Sequence, residues 1–415
     1  MSPIGDWPLL QHVPDLIAIG LGATSHPARV DVLVSLNIAA VVVSVVLGWV
    51  VLSRTGQTGW FWGFLLVVLS GPILAYANQS VGEAFASGVL VCFVGAVLLQ
   101  APPPVVAVAA LAACLTKETS YLFVVTLGLL GLVLARRRTG MAIRRHVLWG
   151  AGGVAFAFVL ASLFNVVRFG SILNTNYLQS ELHTPGVARK LEYAAALLVS
   201  PSGGIFVFWP TAAVLLTAAC LLPLALRGRT HVDPRPALVL VAVLVILIAG
   251  LAAWYTPFGW TEFGPRLTFP WIPALVLMAL VAYGGVLAEP TRRLLAAPWR
   301  LLLVAIVVVA LALPEIGYMW RPDPTAIGFF TVKTGPCAGP HSIGTSALHE
   351  CQHELMWFRR PYGLYALPGV KTTGGVITSV AVAIALLGCL VLLREDVARA
   401  KVAPVGRRRL VVSVS

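Results

Sequence analysis

Glu83 opens a long apolar run, directly after the polar stretch Tyr76-Ala-Asn-Gln-Ser-Val-Gly. A carboxylate at the mouth of such a run can take a proton from a hydroxyl, as a general base does. Ionisable groups at membrane depth are costly, which makes them candidates for function. The bland reading is an acid favoured by the helix dipole, worth roughly 0.3–1 kcal/mol. Lys117 interrupts a second apolar stretch, beside Glu118. Neighbours on a helix face apart, so the two pair poorly with each other. Lys117 instead offers a positive charge to an anion. Arg266 stands where a third apolar run begins, in WYTPFGWTEFGPRLTFPWIP, residues 254–273. It reads either as an arginine snorkelling at a helix end or as a clamp for phosphate, which its planar fork binds bidentately. One base and two cations suit the transfer of a group away from a phosphate.

These residues depend on the elements that carry them. Of 415 residues, 59% are hydrophobic and only 11% charged, far from the composition of a soluble domain. Apolar runs cover about 31–53, 60–76, 83–100, 104–116, 119–136, 145–166, 205–226, 236–254, 267–288, 299–316 and 373–393. Most approach the roughly 18–20 residues that cross a bilayer. The fold class is therefore all-α, a polytopic transmembrane bundle of about eleven spans. The runs lack the period-2 alternation of a barrel.

Basic residues fall in every second connection: RRRTGMAIRR at 136–145, RGRTHVDPR at 227–235, the stretch from Arg292 to Arg300, and the tail from Arg394 to Arg409. By the positive-inside rule these are cytoplasmic. The net charge of +13 thus marks a membrane face and not a nucleic-acid partner. Residues 76–83, 167–204, 255–266 and 317–372 are expected outside. Trp254, Tyr255, Trp260 and Trp271 are of the types that settle at the membrane interface, while Gly259, Gly264 and Pro265 break regular helix there. The polar segment 167–204 suits an amphipathic interfacial helix plus a loop.

Cys92, Cys114, Cys220 and Cys389 lie inside apolar runs as small core residues. Cys337 and Cys351 share the outer loop 317–372 and are expected to form a disulfide, worth roughly 3 kcal/mol in the chain-entropy model. The same loop holds His349-Glu350-Cys351-Gln352-His353, a zinc-protease pattern. Its third ligand would have to be Glu354 or His341, an unusual spacing, and a solvated, disulfide-tied loop is the favoured alternative. No P-loop, dinucleotide fingerprint or internal repeat is present, which argues against ATP-driven transport.

Four stretches together resemble a family. Phe263-Gly-Pro-Arg266 before an apolar run with Pro270 and Pro273 is similar to the late periplasmic loop of polytopic C-type membrane glycosyltransferases. Ser200-Pro-Ser-Gly-Gly-Ile-Phe-Val-Phe-Trp-Pro210 is similar to the "SPxxGLFxYxP" loop of many bacterial members. Tyr76 to Glu83 resembles the loop that ends in an acid at a helix start, and Leu115-Thr-Lys117 the "LTK" segment. The chain is thereby similar to the superfamily of bacterial protein O-mannosyltransferases and aminoarabinose transferases.

The resemblance implies an integral plasma-membrane enzyme with its active site facing outward and its C-terminus cytoplasmic. It would move a sugar from a polyprenyl-phosphate donor to an envelope glycan, lipid or protein acceptor. In the family a first helix precedes this point, and the following loop carries a catalytic aspartate, so the resemblance implies a chain that begins late. Asp6 and Asp15 are the nearby substitutes. The expected site comprises Glu83 and Asp6 as catalytic acids, Arg266 and Lys117 on the donor phosphate, and Tyr76, Asn78, Tyr255 and Glu262 on substrate. Some relatives use a divalent ion, and carboxylate oxygens could hold one; metal dependence stays open. The expected organisation is a membrane-embedded catalytic module over 1–316, an outer loop over 317–372, a last span over 373–393 and a basic tail over 394–415. The alternative is a transporter or flippase without catalysis, for which charges at half-helix ends also suit.

Overall fold

The structure is a computed structural model that describes residues 17, 19–20, 22, 26–77, 82–117, 119–140, 143–173, 183–184, 186–200, 204–225, 233–254 and 267–295. Among these, every regular element is helical. The helices are α1 His26–Arg54, α2 Phe61–Leu69, α3 Ile73–Ala77, α4 Glu83–Leu98, α5 Pro103–Thr116, α6 Ser120–Thr139, α7 Ile143–Phe169, α8 Val187–Val199, α9 Ile205–Phe208, α10 Pro210–Ala225, α11 Arg235–Trp254 and α12 Ile272–Leu295. Two 3₁₀ turns, Thr58–Trp60 and Phe269–Trp271, lead into α2 and α12. Among the described residues, five segments are long and apolar enough to cross a membrane: Asp31–Arg54, Ser120–Thr139, Ile143–Phe169, Arg235–Ala253 and Phe269–Ala288.

The sequence dictates most boundaries. Pro opens α5, where its missing N–H costs nothing. Gly140 ends α6 in the left-handed region, at φ 69°, and its N–H donates to the Arg136 carbonyl at 2.7 Å. Arg136, Arg137 and Arg138 fill that last turn, favourable for the helix dipole.

Two expected spans are corrected. Residues 60–76 do not form one helix: α2 stops at Leu69 and α3 begins at Ile73. Gly71-Pro72 breaks the run, and any side chain on Gly71 would collide with the Trp209 indole. The run 205–226 is likewise divided at Trp209, because Pro210 cannot donate to a continuing helix. Within 167–204, beyond the end of α7, the described residues form one helix, α8. The runs 299–316 and 373–393 lie outside the described residues, as do Cys337, Cys351 and the His349–His353 pattern.

Helix α4 is the hub. It touches α1, α5, α6, α12 and the Phe269–Trp271 turn. Against α1 the approach is very close: a Cβ on Gly88 would sit 2.8 Å from the Ala40 carbonyl oxygen. Small residues let membrane helices meet in this way. Gly88→Val is expected to cost about 1–3 kcal/mol by overpacking. Thermal unfolding in detergent checks it, and an unchanged midpoint would mean that the two helices have room to part.

Hydrogen bonds sort the connections into two ends. At one end Trp60 Nε1 donates to the Gly284 carbonyl at 2.7 Å, Gln100 Nε2 to Thr139 Oγ1 at 2.7 Å, and Arg137 pairs with Asp233 at 2.5 Å. At the other, Ser70 meets Thr211 at 2.7 Å and the Thr184 N–H reaches the Ala253 carbonyl. The arginine-rich last turn of α6 lies at the first end. The described residues of the stretches that carry the family resemblance gather at the second.

Candidate active site

Glu83 is the first residue of α4, after Gly82, which offers no side-chain cap. Its carboxyl is 1% exposed. Lys117 follows the last residue of α5, where the backbone has turned extended, at φ −157° and ψ 151°. That turn carries its ammonium to Glu83 Oε1, 2.5 Å away. The Lys117 side chain is 15% exposed. A buried carboxylate is tolerable only when paired in this way. Adjacency makes Glu118 a poor partner for Lys117, and the sequence does not point to Glu83, because 34 residues separate the two.

Asn37, within α1, was missed altogether. It is fully buried, and its Oδ1 accepts a hydrogen bond from the Phe85 N–H at 3.1 Å. Phe85 is in the first turn of α4, where backbone N–H groups have no partner within the helix. The only signal in the sequence is an amide inside the apolar run 31–53.

Aromatic rings close the neighbourhood. Tyr76 is fully buried, its ring stacked on Phe269 with centroids 4.7 Å apart and planes at 19°. Phe269 tilts against Trp209 at 6.5 Å, and Trp209 Nε1 donates to the Val67 carbonyl at 2.6 Å. Three of the four stretches that carry the family resemblance therefore meet in one stack, and the fourth reaches the same helix start through Lys117. Tyr76, expected at the substrate, spends its ring on this packing. Trp271, expected at the membrane interface, is instead fully buried, and its indole N–H has no hydrogen-bond partner among the described residues. The reason is its place in the 3₁₀ turn that abuts α4.

Arg266, Asn78, Tyr255, Glu262 and Asp6 lie outside the described residues. Leu267, next to Arg266, is buried, and Phe269 two residues further on is in the stack. Among the described residues no three His, Cys, Asp or Glu side chains gather, so the described donor set does not by itself hold a divalent ion. Cys92, Cys114 and Cys220 are free thiols, as expected of core residues.

The described residues thus define an integral membrane protein, an all-helical bundle with a buried carboxylate–ammonium pair near one end. No family model matches the chain, and no curated protein matches it. It is similar to two crystal structures of ArnT from Cupriavidus metallidurans. The apo form is 17% identical at a TM-score of 0.46, over 96% of this chain and 64% of ArnT. The form bound to undecaprenyl phosphate is 14% identical at a TM-score of 0.42, over 94% of this chain and 67% of ArnT. The chain thus spans 64% of the length of the first ArnT structure.

Proposed function

We propose that this chain is a membrane glycosyltransferase that moves a sugar from a polyprenyl-phosphate donor to an acceptor on the extracytoplasmic face. The observation that carries the reading is the buried Glu83–Lys117 pair at the start of α4, the helix that the Phe269–Trp271 turn also contacts. A lipid-borne donor fits a carboxylate that belongs to the bundle and not to the aqueous surface. Helix α1 begins eleven residues before Asn37, which at 1.5 Å per residue is about 16 Å. Glu83 is therefore recessed relative to the start of α1.

The pair also suggests how the reaction starts. At rest the ammonium of Lys117 neutralises the carboxylate. A donor phosphate brings its own negative charge and competes for that ammonium, with Arg266 as the second cation. Once Lys117 has turned to the phosphate, Glu83 is left to accept the proton of the acceptor hydroxyl. The acceptor oxygen attacks the anomeric carbon, and the bond from that carbon to the phosphate oxygen breaks. Its electron pair leaves with polyprenyl phosphate, whose charge the cations stabilise. A single displacement inverts the anomeric centre. Asp6 is the alternative base, and Asn78, Tyr255 and Glu262 are the candidate sugar and acceptor contacts.

The test is transfer from a synthetic polyprenyl-phosphate sugar by the purified chain in detergent. Arg266→Ala is expected to raise the donor KM and lower kcat, since it removes a charged fork from the leaving group. Arg266→Lys should restore only part of the loss, because a point charge cannot bind two oxygens in one plane. Translocation of labelled lipid without any sugar transfer would favour the transporter reading instead.

A further inference from the structure

We propose that Asn37 is a positioning residue for the Glu83 carboxylate, acting from α1 as the N-cap that α4 lacks. The inference rests on the function proposed above. A helix start exposes N–H groups that need acceptors, and the residue that normally supplies one precedes the helix. Here that residue is Gly82, which has no side chain to give. The Asn37 amide oxygen takes the place from another helix, at 3.1 Å from the Phe85 nitrogen.

Three features make this a fixed support. Asn37 is fully buried, so water does not compete for the Phe85 N–H. One turn further along, Ala40 touches Gly88 so closely that a Cβ there would fall 2.7 Å from the Ala40 Cβ. Beyond that, Leu47 fills the place a Cβ on Gly95 would take, again at 2.7 Å. Asn37, Ala40 and Leu47 thus form one stripe of α1 that clamps α4 in register. The first residue of the clamped helix is Glu83. With α1 fixed, the carboxylate has a fixed distance to Lys117, which follows α5 and whose ammonium meets it at 2.5 Å. A base must lie within hydrogen-bond reach of its proton, and misplacement by about 1 Å can cost on the order of 10²-fold.

Asn37→Leu keeps the volume and removes the acceptor. Its turnover should fall on the order of 10²-fold, with the donor KM near that of the parent. The same substitution on a Glu83→Gln background should cost nothing further, because the group it positions is already gone. Hydrogen exchange of the full chain in detergent should show faster exchange at the start of α4 and parent-like protection along α1 and α12. Equal losses on both backgrounds would assign Asn37 a general structural role and overturn the proposal. Parent turnover for Asn37→Leu, with Glu83→Gln slow, would overturn it and leave the proposed function standing. Parent turnover for Glu83→Gln would remove Glu83 from the chemistry and overturn Asn37's positioning role with it, while sugar transfer itself would still stand. Should Asn37→Leu fail to fold, Asn37→Ala carries the same comparison.

Discussion

Glu83→Gln is expected to lower turnover roughly 10²–10⁴-fold while the chain still folds. The amide has the shape of the carboxylate and keeps an oxygen that can accept from Lys117, but it cannot take up a proton at neutral pH. Donor binding should change little, because the lipid phosphate is held by cations. The assay is sugar transfer under saturating donor, with thermal unfolding of the same preparation as the control for folding. A variant that turns over at the parent rate would remove Glu83 from the chemistry. If Arg266→Ala is then still slow, the base lies elsewhere and Asp6 becomes the next residue to substitute.

The ends of helices were readable because local chemistry sets them. Glu83 begins α4, Pro103 begins α5, and the arginines of 136–138 close α6 before Gly140. The breaks at Gly71-Pro72 and at Pro210 were written in the same alphabet, yet apolar length alone joined the pieces into single spans. A membrane helix needs about 20 residues, and runs of this length hide a proline easily. The distinction requires the tertiary contact as well: Gly71 is bare because the Trp209 indole occupies the space beside it.

The candidate site was legible as residues and not as pairs. Glu83 and Lys117 each stood out as a charge in an apolar setting, and the reading gave them separate roles. Their ion pair depends on how α4 meets the end of α5, and a single sequence carries no signal of that crossing. Asn37 was harder still. One amide within α1 looks like an isolated polar residue, until α4 supplies the N–H that explains it. Trp271 erred in the other direction. Tryptophan favours the interface in general, but the turn Phe269–Trp271 faces α4 and draws the ring inside. In each case residue type indicated an environment, and helix packing decided the partner.

Packing also decides which half of the ion pair the fold depends on more. Lys117→Met should destabilise the chain by about 3–5 kcal/mol, because it takes from a buried carboxylate the ammonium that meets it at 2.5 Å. Glu83→Gln should cost less. The two side chains differ in exposure, 15% for Lys117 and 1% for Glu83. An ammonium that has lost its partner can recover part of its hydration through that opening, and a carboxylate sealed in the bundle cannot. The double variant Glu83→Gln/Lys117→Met should recover much of the loss of Lys117→Met, since the buried carboxylate is then neutral as well. Thermal unfolding midpoints of the three variants in one detergent measure this. Losses that simply add would show that the two groups do not interact energetically. A larger loss for Glu83→Gln than for Lys117→Met would reverse the assigned asymmetry and place the solvent opening on the carboxylate side. Recovery in the double variant without recovery of sugar transfer is the expected joint outcome. It would separate the pair's contribution to the fold from the proton transfer that only the carboxylate can perform.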